Sequence, residues 1–184
     1  MLDVRQTSIE GVLEIRPPRH GDDRGFFSET WNAETWRGQG LERVYVQDNH
    51  SLSRAAHVLR GLHFQAPPVA QEKLVRVSRG SIFDVAVDLR TGSPTRGRWV
   101  GMVLSVTEWN QLLIPAGFAH GFLTLEPDTE VQYKVTAPYH GPSDRGIRWD
   151  DPDIAIDWPL DGATPILSDK DRAAPLLRDV ETGF

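Results

Sequence analysis

Apolar residues along this chain come in short runs separated by Gly, Pro, Asn and Asp, and within the runs they alternate with polar ones. That period of two belongs to strands, whose successive side chains point to opposite faces. The clearest case is Ile82–Leu89, where Phe83, Val85, Val87 and Leu89 share one face and Asp84 and Asp88 the other. Further runs predict strands at Ile9–Ile15, Gly25–Trp31, Val44–Asn49, Trp99–Val106 and Gln111–Ile114. The stretch His57–Leu74 reads as a strand, a turn at Pro67-Pro68 and a return strand that continues to Val77. Phe122–Leu125 and Thr129–Thr136 read as a hairpin around Pro127-Asp128. Arg19–Arg24, Arg90–Arg98 and Thr107–Asn110 are turn-rich. Asn32–Arg37 fits one helical turn, capped by Asn32 and ended by Gly38 and Gly40. Ser168–Leu177 fits a short helix or an ordered loop.

Many short strands with few helical turns predict an all-β fold, a sandwich or a barrel. A double-sheet jelly roll protects its strand edges at this length. With 184 residues, and no repeat or linker, residues 1–184 are expected to form one unit. Two local features bear on chemistry. In Thr129–Thr136, Tyr133 shares a face with Val131 and Val135, so it should point into the core. Arg60 and His63 have odd spacing, which would send them to opposite faces of a regular strand. Gly61 between them allows a kink or bulge, and a local irregularity is predicted there.

Composition narrows the function. Charged residues are 25% and hydrophobic ones 39%, the balance of an ordinary globular chain. No run approaches the roughly 18 apolar residues of a membrane span, and the polar start MLDVRQTSIEGV lacks a signal-peptide core. A cytoplasmic setting and no membrane partner are expected. The absence of cysteine excludes disulfides and thiolate zinc sites. A net charge of −6 argues against broad nucleic-acid binding, although a local Arg and Lys cluster could still hold a small anion.

Chemistry concentrates in His57–Leu74, which holds Arg60, His63 and Lys73. The second informative stretch is Pro115-Ala-Gly117-Phe-Ala-His120-Gly121, where a tight turn aims His120 along the next strand. This PxGxxH pattern resembles the second motif of the cupin superfamily, itself a jelly roll. Metal-binding cupins carry HxH and a downstream Glu in the first motif; here that place reads His63-Phe64-Gln65, with Glu72 further on. One imidazole is missing, so a bound catalytic metal is not expected. Asp84 and Asp88 could orient basic side chains or simply form a solvated strand face. His20, His50, His57 and His140 have ordinary structural readings.

Taken together, the motifs resemble the dTDP-4-dehydrorhamnose 3,5-epimerase family. The carrying residues are Asp23-Arg-Gly-Phe-Phe27 with Glu29, Gln47-Asp-Asn49, Leu59-Arg-Gly-Leu-His-Phe-Gln65, Glu72-Lys73, Asp84-Val-Ala-Val-Asp-Leu-Arg90 with Gly92-Ser-Pro94, Pro115–Phe122, Tyr133, and Leu167-Ser-Asp-Lys-Asp171. They keep the family's order over nearly the whole chain.

The chemistry implied is proton exchange beside a ketone. It needs a base near neutral pKa, a cation for the enolate and an acid on the other side. His63 suits the base, Lys73 the cation and Tyr133 the acid. The resemblance implies Asp171 as the partner of His63, with Asp169 a nearby competitor. His120 would line the sugar pocket. For the nucleotide, the resemblance points to Arg24 and Arg60 at the pyrophosphate. Phe27, Glu29, Gln47, Asn49 and Tyr139 fit the thymine end. It also implies a homodimer in which the Arg24–Glu29 strand crosses to the neighbouring subunit. The expected reaction is inversion of C3 and C5 of dTDP-4-dehydro-6-deoxy-D-glucose, with no cofactor. A 3- or 5-monoepimerase and a 3,4-ketoisomerase of a related dTDP-4-keto-6-deoxyhexose are the alternatives.

Overall fold

The computed structural model describes all residues, Met1–Phe184. In chain order the strands are β1 (Asp3–Gln6), β2 (Leu13–Arg16), β3 (His20–Asp22), β4 (Gly25–Phe27), and, after helix α1 (Ala33–Arg37), β5 (Gln47–Ser53) and β6 (Leu59–Gln65). Then come β7 (Lys73–Arg79), β8 (Ser81–Asp88), β9 (Trp99–Ser105), β10 (Gln111–Ile114), β11 (Phe118–Thr124) and β12 (Thr129–Val135). The short β13 (Asp144–Gly146) and helix α2 (Asp169–Arg172) complete the set. One sheet has six strands in the order β1-β2-β10-β7-β12-β5, and the other has five in the order β13-β6-β11-β8-β9. The two sheets enclose a common core, as expected of a cupin-like jelly roll. Strands β3 and β4 form a separate two-stranded ribbon.

Turn residues mark the chain reversals correctly, but the strands after those turns pair differently from the expectation. The segments read as a hairpin, β11 and β12, lie in opposite sheets and do not pair, and the strand and return strand around Pro67-Pro68, β6 and β7, are likewise divided between the sheets. The same holds for β9 and β10. A turn signal reports that direction reverses; it does not say whether the return strand pairs or crosses to the other layer. Several boundaries also differ. The Ile9–Ile15 run becomes strand only at Leu13, with Ile9 and Val12 buried in the preceding turn. The Gly25–Trp31 run stops at Phe27, and part of the expected Arg19–Arg24 turn is β3. The expected Val44–Asn49 strand begins at Gln47 and runs on to Ser53, while β11 starts four residues before the expected Phe122. The helical turn is found, with Asn32 Oδ1 accepting from Glu34 N and Thr35 N at 2.9 and 3.1 Å.

Three apolar clusters hold the layers together. Between the sheets lie Val75, Ile82, Ala86, Leu104, Phe122 and Val131, among others. Behind the five-stranded sheet, Leu62, Val85 and Val87 pack against Ile147, Ile154 and Trp158 from the C-terminal segment. Behind the six-stranded sheet, Ile15, Leu74 and Leu113 are covered by Trp36 and Leu41. Strand β8 is therefore buried on both faces. That overturns the solvated reading of Asp84 and Asp88: both are wholly buried, and each holds a basic partner.

The irregularity between Arg60 and His63 is present. His63 pairs with His120 on β11, but Arg60 pairs with Phe122, so three steps on β6 match two on β11. Gly61, at φ 129°, occupies the bulge. A Cβ there would lie 2.5 Å from Gly121 Cα and 2.9 Å from the His120 carbonyl oxygen. Glycine alone fits, and the extra residue brings Arg60 and His63 to one cavity.

Candidate active site

A cavity of about 480 Å³ opens between the sheets. Strands β6 and β11 supply Arg60, His63, His120 and Phe122 from one wall; β7, β12 and β5 supply Lys73, Tyr133 and Ser51 from the other. The segment Ile166–Ser168 and Asp171 close one side.

His63 Nε2 lies 2.6 Å from Asp171 Oδ1. The carboxylate is fixed by its own helix: Ser168 caps α2, accepting from Asp171 N at 3.1 Å and donating its hydroxyl to Asp171 Oδ2 at 2.7 Å. Burial alone would raise the Asp171 pKa, but the hydrogen bonds from His63 and Ser168 outweigh it and hold the carboxyl below its usual range. Asp169, the competitor, is exposed and makes no bond to His63. Since an ionised carboxylate only accepts, Nε2 carries the hydrogen and Nδ1 is the free base of a neutral His63.

Lys73 enters from the opposite sheet and is buried, its Nζ donating to the His63 carbonyl oxygen at 3.3 Å. Burial pushes its ammonium pKa down to about 8, against the pull of Asp84 and Asp144. Tyr133 packs against the inter-sheet core and lines the same cavity, as its alternation with Val131 and Val135 foretold. Burial raises its phenol pKa, which favours the protonated, donating form. His120 is buried beside them, its Nε2 2.7 Å from Asp84 Oδ1. Burial pushes its pKa down despite Asp84, which favours a neutral ring.

The nucleotide candidates divide into two groups. Arg60 lines the cavity, with its guanidinium on Ser53 Oγ and the Leu52 carbonyl oxygen, each at 3.3 Å. Asn49 is the register partner of Tyr133 and so shares its inward face. Gln47 Nε2 donates to Asn49 Oδ1 at 2.8 Å, and its Oε1 accepts from Tyr139 N at 2.9 Å. Tyr139 itself is exposed and donates to Asp144 Oδ2 at 3.2 Å. Arg24, Phe27 and Glu29 are not brought to this chain's cavity. Arg24 pairs with Asp22 at 2.5 Å, Phe27 is 71% exposed, and Glu29 accepts from Asn32 and Thr35 beside α1.

Sequence reasoning missed Ser168, although a Ser three residues before an acidic one is a recognisable helix start. It also missed Asp144. No group of three His, Asp or Glu side chains gathers as a metal site would require. Gln65, at the place of the missing histidine, donates instead to the carbonyl oxygens of Val69 and Pro138 at 2.5 and 3.0 Å.

Fold and site together define the class: a cupin-like jelly roll equipped for acid–base chemistry. The family model for dTDP-4-dehydrorhamnose 3,5-epimerase matches residues 6–179. A dTDP-4-dehydrorhamnose 3,5-epimerase of Sinorhizobium fredii is 52% identical over 177 residues, covering 96% of this chain and 90% of the relative. The crystal structure of the Bacillus anthracis enzyme of that name, with TDP and PPi bound, has TM-score 0.92 and 48% identity over 96% of this chain and 99% of its own. A dTDP-6-deoxy-D-glucose-3,5-epimerase from Legionella pneumophila, in complex with dTDP-4-keto-L-rhamnose, has TM-score 0.94 and 46% identity, covering 98% and 95%. The chain belongs to the dTDP-4-dehydrorhamnose 3,5-epimerase family, and it is an isomerase. No helix is long and apolar enough to cross a membrane.

Proposed function

We propose that this enzyme inverts C3 and C5 of dTDP-4-dehydro-6-deoxy-D-glucose, giving dTDP-4-dehydro-L-rhamnose, by proton exchange on either side of the C4 ketone. The observation that carries this reading is the His63–Asp171 pair at 2.6 Å, on one wall of a cavity whose other wall bears Tyr133 and Lys73. His63 takes a proton from the carbon beside the ketone, and Asp171 stabilises the imidazolium so formed. The electron pair moves onto the ketone oxygen, where the Lys73 ammonium balances the enolate charge. Tyr133 returns a proton to the opposite face of the same carbon. Exchange with solvent then resets His63 and Tyr133. Because C3 and C5 both flank C4, one cation serves both enolates.

The cavity falls within the range of about 300–1,000 Å³ typical of small-ligand sites. Arg60 is oriented for a phosphate, its guanidinium held by a hydroxyl and a backbone carbonyl rather than by a carboxylate. Gln47, Asn49 and Tyr139 lie next to one another beyond Tyr133 and suit the nucleoside. Arg24, Phe27 and Glu29 act in the pocket of a second copy, in a homodimer that exchanges the β3–β4 ribbon. Their exposure outside their own chain's cavity supports this assignment.

The test is proton NMR of the substrate with enzyme in heavy water, counting deuterium at each ring carbon. Uptake at both C3 and C5 is expected. Uptake at one position would make the enzyme a monoepimerase, and transfer of the carbonyl to C3 would make it a ketoisomerase. A His63→Ala variant should take up deuterium about a thousandfold more slowly yet still bind thymidine diphosphate; uptake at a rate near wild type would remove His63 from the base role.

A further inference from the structure

Asp84 takes no part in the proton transfers, yet its surroundings tie it to Lys73. It sits on β8 in the fully buried core, where Oδ1 meets His120 Nε2 at 2.7 Å. Its Oδ2, equally buried, meets no hydrogen-bond donor of the chain. A carboxylate so placed is poorly compensated unless a charge of opposite sign lies near it. Lys73 has the complementary deficit. Its buried ammonium has three hydrogens and makes one hydrogen bond within the protein, to a backbone carbonyl.

We propose that Asp84 is a positioning residue: its buried carboxylate holds Lys73 as an ammonium where the enolate oxygen forms, and fixes the tautomer of His120 beside it. The inference rests on the enolate reading and adds a residue to it. The charged and titratable groups that share the cavity with Lys73, or act on its charge through space, come from several elements. They are Arg60 and His63 on β6, Asp84 on β8, His120 on β11, Tyr133 on β12, Asp144 on β13, and Lys170 with Asp171 on α2. Among them Asp84 is the strongest charge opposing the loss of the Lys73 proton, Asp144 comes next, and Lys170 works against both. An amine is charged below its pKa. Removing Asp84 therefore lowers the pH above which Lys73 is neutral and the enolate loses its cation.

The chain has three lysines, Lys73, Lys134 and Lys170, so 13C-labelled lysine gives three resolvable Cε signals. Lys73 is assigned by its loss in Lys73→Arg. In the wild-type enzyme it should titrate near 8. In Asp84→Asn the midpoint should fall by roughly one pH unit or more. The alkaline limb of kcat should move with it, while KM and thymidine diphosphate affinity stay within about twofold. Asp84→Glu, which keeps the charge, should restore the limb. His120→Asn should not lower the Lys73 midpoint, because the carboxylate remains; an equal fall there would show that the imidazole carries the effect and would overturn the proposal. A wild-type Lys73 that titrates like a free lysine, or an unmoved midpoint in Asp84→Asn, would overturn it as well. Should Asp84→Asn not fold, the wild-type Asp84 carboxyl 13C signal decides. An inflection at the Lys73 midpoint that vanishes in Lys73→Met upholds the coupling, and a flat signal ends it. Failure of the enolate reading looks different: the wild-type enzyme would then exchange no carbon-bound hydrogen at all.

Discussion

Two imidazole–carboxylate pairs stand side by side in this protein, His63–Asp171 and His120–Asp84. Their histidines are register partners on β6 and β11, and their contacts measure 2.6 and 2.7 Å. The chemistry of each pair is the same, but the surroundings are not. The His63 side chain is 32% exposed into the cavity, and its carboxylate comes from a short capped helix. The His120 side chain is 7% exposed and Asp84 not at all; both belong to the central strands of one sheet. A base must meet substrate and exchange its proton with solvent, and the first pair can do both. The second only edges the cavity with its imidazole and keeps its carboxylate wholly buried, so it suits fixed orientation and fixed charge. On the assignment proposed above, access and backing, rather than residue type, separate the two roles.

The contrast can be broken in four ways. The largest effect is expected from His63→Ala, which should lower solvent exchange by about a thousandfold, within the range for loss of a general base. Its melting temperature should stay close to wild type. Gly61→Ala comes next, because it attacks the bulge that gives the two histidines their common register. Its Cβ would meet Gly121 Cα at 2.5 Å, and a destabilisation of about 3 kcal/mol is expected in urea unfolding. His120→Asn should cost about tenfold in kcat, a loss of about 1.4 kcal/mol in transition-state stabilisation. A loss as deep as that of His63→Ala would mean that the roles are shared.

Ser168→Ala is the mildest. It removes an N-cap worth about 1 kcal/mol and one hydrogen bond to Asp171. Asp171 titrates below its ordinary 3.8 in the folded state, so its charge stabilises the fold above that pH. The contribution disappears as pH falls through the folded value. Ser168→Ala should therefore unfold at a higher pH on acidification, by roughly a few tenths of a unit. An acid midpoint equal to wild type would detach Ser168 from the carboxylate.

Much of this was legible in the sequence, for local reasons. Alternation located β8 and β12 to within about one residue, because each carries apolar side chains at every second position, and the short apolar run Leu112–Ile114 located β10. Strands β1, β3 and β13 escaped notice because Asp3-Val-Arg-Gln6, His20-Gly-Asp22 and Asp144-Arg-Gly146 have little apolar content. They lie at sheet edges or in the small ribbon, where no buried face demands it. Sheet membership is a non-local property, and no turn residue reports it. The same distinction runs through the site. Arg60, His63, Lys73, His120, Tyr133 and Asp171 do meet at one cavity. Gln47, Asn49 and Tyr139 lie outside its lining, and Arg24, Phe27 and Glu29, whose place is proposed to be in another copy, do not line it either. Asp84 stayed ambiguous because alternation tells which residues share a face, but not which layer covers it.

The crossing of the chain from β6 to β7 has one more consequence. His63 and Lys73 are ten residues apart in sequence but stand on opposite jaws of a calliper. The gap between them is set by Val75, Ala86, Val131 and their neighbours, which wedge the jaws apart. A substituted methyl group in that wedge, touching no substrate, would change the spacing on which the proposed proton transfers depend.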